Sequence, residues 1–151
     1  MRIQCLSTFA LLLAIAGLTS NAAAQAGREY INASFATDAA APPFSGAVLA
    51  GNTLYLSGTI GLDSNQQVPS TPEAEARLVL DNILATLAAA GMTMDDLVIV
   101  QISCSDVAHY DAFNAVYRTY FEGVFPARAF LGAGPLLFNA RFEVQGIAVR
   151  R

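Results

Sequence analysis

Two charged residues near the C-terminal end, Arg128 and Glu143, combine types and spacing that could do chemistry. A guanidinium can hold a small carboxylate through two parallel hydrogen bonds. A carboxylate beside it can position or activate a water. Both residues fall in β-type runs, Ala127–Ala133 and Ala140–Val149, separated by a loop around Gly134-Pro135. If these two strands pair through that loop, Arg128 and Glu143 approach one another at the sheet edge. An inert surface ion pair explains the same spacing. On the residues alone, the site is a binder of small carboxylates and no more.

Other chemistries are poorly supplied. All 8 basic residues are Arg, so lysine Schiff-base chemistry is excluded. The single His109 leaves no Ser–His–Asp constellation to assemble and reads as a solvent-facing residue in the first turn of a helix. No Gly-rich phosphate loop precedes a helix, and one His with two Cys builds no metal site. Cys104, within the run Leu97–Cys104, reads as a small buried hydrophobe. With 12 acidic residues the net charge is −4, which argues against a partner that presents a phosphate backbone.

The elements that must hold Arg128 and Glu143 are legible. Residues 28–36 form a first short strand, and Ala47–Ala50 with Thr53–Gly58 form a hairpin about Gly51-Asn52. Residues 61–71 are polar and turn-rich, a loop. Thr71-Pro72-Glu73 opens a helix, with Thr as N-cap and Pro at the first helical position. Ala76, Leu80, Ile83, Leu84 and Leu87 give it an apolar face, and Gly91 ends it. Leu97–Cys104 is a buried strand, and a second helix runs from about Val107 to Phe121. Its aromatic stripe, Phe113, Tyr117, Tyr120 and Phe121 with Val116, reads as core. The order β-β-β-α-β-α-β-β, with hairpins at both ends, is an α+β layout in which both helices cover one face of a mixed sheet. With charged residues at 13%, against about 25% in ordinary domains, the other face has little to solvate it. That face is expected to be buried against other subunits.

The chain's start has a separate logic. Arg2, the apolar run Phe9–Leu18 and the small residues Ala22–Ala24 follow the layout of a secretory signal peptide, residues 1–24, cleaved after Ala24 or Ala26. The run is too short to span a bilayer as a helix. A single domain over 27–151, periplasmic or secreted and free of the membrane after cleavage, is the expectation. Only Cys104 remains in it, so the domain stands without an internal disulfide.

Several motifs together resemble the reactive-intermediate deaminase (Rid, YjgF-type) family. Phe125-Pro126-Ala127-Arg128, then Glu143, then Gly146–Arg151 carry the match at the C-terminal end. Upstream, Ala50–Gly58 resembles the family's second hairpin, Leu80–Ile83 its first helix and Phe113–Tyr117 its second. The resemblance implies a chorismate-mutase-like fold assembled as a homotrimer, with ligand sites in the clefts between subunits. It implies hydrolysis of enamine or imine 2-carboxylates, of the 2-aminoacrylate or 2-iminobutanoate type, to 2-keto acids and ammonia, with no metal or organic cofactor. By position, Arg128 matches the arginine that grips the substrate carboxylate and Glu143 the acid that orients the attacking water. Ser57, Gly58 and Asn114 match pocket residues, and the backbone of Ala129 and Phe130 lines the pocket. Departures are visible: Phe44 stands where many members carry Tyr, Thr59 follows the Ser-Gly pair in place of Gln, and Phe130 is bulky. The stretch Leu131–Asn139 lacks the usual Leu-Pro segment. A trimer that binds small carboxylates or partner proteins in the same clefts without turnover is the alternative function. Ribonuclease activity, sometimes attributed to this family, fits poorly with an acidic chain.

Overall fold

The computed structural model describes residues 27–151. The expected leader, residues 1–24, lies outside the described residues. The helix over Pro72–Ala89, α1, forms for the reasons its sequence announces. Thr71 Oγ1 accepts from Ala74 N at 3.2 Å, Pro72 occupies the first turn, and Glu73 and Glu75 sit at the positive end of the helix dipole. Val79, Leu80, Ile83 and Leu87 are buried along one stripe, each contributing roughly 1.5–3 kcal/mol by leaving water. Gly91, at φ 68°, takes the left-handed conformation just past the end.

Six strands make one sheet: β1 (Arg28–Ile31), β2 (Ala47–Ala50), β3 (Thr53–Ile60), β4 (Leu97–Cys104), β5 (Ala127–Gly132) and β6 (Phe142–Val149). Their spatial order is β1-β2-β3-β6-β4-β5. The hairpin about Gly51-Asn52 is as expected, with Gly51 at φ 65°. The C-terminal hairpin is not. β5 pairs in parallel with β4, and β6 inserts antiparallel between β3 and β4. The cause is the helix between β4 and β5, which carries the chain over the sheet and returns it in the same direction, as a parallel crossover requires. Both terminal runs are apolar enough to take either neighbour, so their pattern does not choose between them.

The second helical segment is composite. A 3-10 turn, Val107–His109, leads into helix α2, Tyr110–Tyr117, and a further 3-10 turn covers Arg118–Tyr120. Asp106 caps the entry by accepting from Ala108 N at 2.9 Å. His109 therefore precedes α2 and is half-buried, its ring edge-on to Phe142 at 6.1 Å, instead of facing solvent. The aromatic stripe is core: Phe113, Val116, Tyr117 and Phe121 are buried and Tyr120 packs against them. Cys104 is buried as expected.

Both helices lie over one face, above Leu54, Ile102, Phe142 and Val144. The opposite face carries a cross-strand row, Tyr30–Val48–Tyr55–Ile147–Ile99, one residue from each of five strands in register. Tyr30 is 52% exposed, Tyr55 50% and Ile99 43%. The row is thus an exposed apolar stripe across the open sheet face. No helix among the described residues is long and apolar enough to cross a membrane.

Candidate active site

Alternation along the strands sorts the candidate residues onto two sides of the sheet. Arg128 stands opposite Val100, and Phe130 opposite Ile102, both of which point at the helices. Glu143 stands between Ile60 and Ser103, flanked in sequence by Phe142 and Val144, which are buried under the helices. Arg128 thus projects on the helix side and Glu143 on the open side, with β4 between their strands. The expected approach of the two at a shared edge does not occur within one chain. Ala129 shares the open side, level with Gln101 and Gln145.

The Arg128 side is an aromatic-walled cavity of about 230 Å³. Arg128 Nη1 donates to Asn114 Oδ1 at 2.7 Å, so α2 fixes the guanidinium on the edge strand. Its Cζ lies 4.8 Å from the centroid of Tyr117 and 5.8 Å from that of Tyr110. Phe130 does not enter the cavity wall; it turns inward, edge-on to Tyr110 at 5.0 Å and Phe113 at 5.7 Å. No carboxylate forms an ion pair with Arg128: among the described residues the two ion pairs are Arg141–Glu75 and Arg151–Asp96. A planar cation held from behind, with no internal anion, is built to receive one. Burial pushes the Tyr117 phenol up to about 12, against a smaller opposing pull from Arg128, so this wall is neutral at ordinary pH.

The Glu143 side is made by a bulge. The β3–β6 register shifts between Leu56 and Thr59, placing one extra residue on β3 around Ser57-Gly58. A Cβ on Gly58 would fall onto Glu143 Oε1, so only glycine leaves the carboxylate its place. Ser57 Oγ donates to Ser45 O at 2.7 Å, and Ser57 N donates to Gly46 O at 3.0 Å. The serine thereby ties the bulge to the segment carrying Phe44. Phe44, Ser57 and Gly58 line a cavity of about 250 Å³ with Asn82 and Thr86 of α1, and Glu143 is not among its lining residues.

Glu75 and Arg141, which the sequence pattern passed over, hold this side in register. Glu75 is fully buried. Its Oε1 accepts from the backbone N–H of Arg141 at 2.6 Å and of Phe142 at 3.0 Å, and its Oε2 pairs with Arg141 Nη1 at 2.8 Å. Arg141 also donates to the carbonyls of Pro69 and Ser70. The clamp ends one residue before Glu143. A signal was present: Glu75 lies four residues before Val79 and eight before Ile83, an acid in the apolar stripe of α1.

Residues 35–150 match the family described as endoribonuclease L-PSP. The chain belongs to that family, the YjgF/Rid family its motifs resemble. Among its relatives is a Capra hircus protein named 2-iminobutanoate/2-iminopropanoate deaminase, 40% identical over 114 residues, covering 74% of this chain and 83% of that one. The crystal structure of the YjgF gene product from E. coli is 31% identical, with TM-score 0.72, over 82% of this chain and all of that one. That of E. coli TdcF with bound serine is 27% identical, with TM-score 0.70, over 74% of this chain and 91% of that one. The α+β architecture, a mixed sheet with two helices on one face, is that of the YjgF/Rid structures.

Proposed function

We propose that the protein hydrolyses small 2-imino or 2-enamino carboxylates, of the 2-iminobutanoate or 2-aminoacrylate type, to 2-keto acids and ammonia. The observation that carries this reading is Arg128, held by Asn114 over Tyr117 without an internal anion. Glu143 in the notch at Gly58 and the relatives named as imine deaminases support it. In this reading the Arg128 guanidinium takes the substrate carboxylate and fixes the position of C2. Glu143 accepts a hydrogen bond from a water and directs its oxygen onto C2 of the iminium. An enamine substrate first takes a proton from water at C3 to become the same iminium. A C–O bond then forms as the C=N bond becomes single, and a water proton passes by way of Glu143 to the departing nitrogen. The carbon–nitrogen bond of the resulting carbinolamine then breaks, ammonia leaves, and the C2 hydroxyl loses its proton to give the ketone. Water is consumed, nothing is oxidised, and no strong nucleophile is required.

Because Arg128 and Glu143 face opposite sides of their own sheet, the complete site draws on two copies, one giving Arg128 and the other Glu143. A homotrimer closes three such clefts and covers the apolar row. The leader in residues 1–24 directs the protein to the periplasm or outside the cell. RNA cleavage, the activity in the family's description, is disfavoured by a net charge of −4.

The deciding experiment generates 2-iminobutanoate in situ with an amino-acid oxidase and follows 2-oxobutanoate release. The protein should accelerate release, and Arg128→Ala and Glu143→Gln should abolish the acceleration. No acceleration by the intact protein removes this substrate. Carboxylate binding retained without turnover converts the reading to a non-catalytic binder.

A further inference from the structure

The Arg128 cavity has a second guanidinium. Its lining is Asn114, Tyr117, Arg118, Phe125, Pro126 and Arg128. Arg118 directly follows α2 and is exposed, and its Cζ lies 5.7 Å from the Phe125 centroid. The Phe125 ring stacks on Tyr117, with 6.0 Å between centroids and 22° between planes. The two cations therefore rest on neighbouring rings of one stack, Arg128 on Tyr117 and Arg118 on Phe125. A guanidinium lying against an aromatic ring keeps its N–H edges for a ligand.

Neither cation is neutralised. Glu122 lies four residues after Arg118, yet the ion pairs among the described residues involve only Arg141 and Arg151. Two like charges facing one cavity repel each other until an anion enters, and a ligand with two anionic groups relieves both. Arg118 thus lines the same cavity as the carboxylate grip, over a ring stacked on the grip's own.

We infer that this cavity selects substrates with two carboxylates, the 2-imino derivatives of four- or five-carbon dicarboxylic acids. The C2 carboxylate sits on Arg128 and the distal one on Arg118. This rests on the reading of Arg128 as the carboxylate grip. Imines of this class come from oxidation of acidic amino acids, so the reaction that supplies the substrate is an amino-dicarboxylate oxidation.

The test is calorimetric titration of the purified chain with two keto-acid products, 2-oxoglutarate and 2-oxobutanoate, at low salt. The expected result is roughly tenfold tighter binding of 2-oxoglutarate. Arg118→Gln should bring the ratio of the two affinities to near one, and added salt should shrink it. Equal affinities in the unmodified protein overturn the inference, as does a preference that survives Arg118→Gln or the absence of 2-oxoglutarate binding. Turnover is read separately. A 2-oxoglutarate preference lost in Arg118→Gln without imine hydrolysis upholds the ligand class and sinks the deaminase. Hydrolysis of 2-iminobutanoate with no such preference does the reverse.

Discussion

The carboxylate of Glu143 lies where a side chain on Gly58 would begin. The bulge at Ser57-Gly58 brings β3 against β6 there, and the missing Cβ is the space the acid occupies. Gly58→Ala should push the carboxylate aside while the sheet persists. The expected outcome is an unchanged circular dichroism spectrum with imine hydrolysis reduced about 100-fold, the scale of an ångström-sized misplacement. Wild-type turnover in this variant would detach Glu143 from the reaction.

Glu75 makes a different kind of contribution. Removing it leaves Arg141 without its anion and two backbone N–H groups without an acceptor. Glu75→Ala should lower unfolding free energy by about 3 kcal/mol. Glu75→Gln keeps an acceptor for the N–H groups and should cost about half as much. Urea unfolding measures both; equal losses would mean that a neutral acceptor restores nothing, and an unchanged Glu75→Gln would mean that the charge contributes nothing.

Alkaline stability follows from two tyrosines. Burial pushes Tyr117 up to about 12; Tyr120 also reaches about 12, through burial and its bond to Asp81 Oδ1 at 2.6 Å. Below pH 10 both phenols are neutral in the folded and the unfolded chain. Between pH 10 and 12 the unfolded chain releases protons that the folded chain keeps, so stability falls as pH rises. Tyr117 alone should account for about 2 kcal/mol by pH 12. Tyr117→Phe should flatten denaturant midpoints measured over that window; an unchanged slope would refute the assignment.

The open face is testable without any ligand. Tyr55→Glu puts a charge in the middle of the apolar row and should turn the proposed trimer into monomers by analytical ultracentrifugation at micromolar concentration. Activity should fall with it, because one chain does not unite Arg128 with Glu143. A monomeric variant with full activity would contradict the two-copy site.

Local structure was legible wherever a cap, a turn or a period announced it. Thr71-Pro72, Gly51-Asn52 and the aromatic stripe of α2 each state their own geometry. Strand neighbours were not, because the insertion of β6 between β3 and β4, apart from β5, is settled by the β4–α2–β5 crossover. Arg128 and Glu143 were identifiable by residue type and motif, while their opposite orientations depended on that same topology. Glu75 was hidden because acids in a first helical turn are ordinary, and its partner Arg141 lies 66 residues away. Arg118 resembled any surface arginine until Phe125 was seen stacked on Tyr117.

The row from Tyr30 through Val48, Tyr55 and Ile147 to Ile99 takes one side chain from each of five strands. A slip of one residue in any strand turns its contribution to the other face and breaks the row. Only a chain with its pairings in register therefore offers an unbroken surface to its neighbours. In the proposed trimer, assembly would act as a proofreading step, admitting correctly paired sheets and leaving slipped ones unassembled.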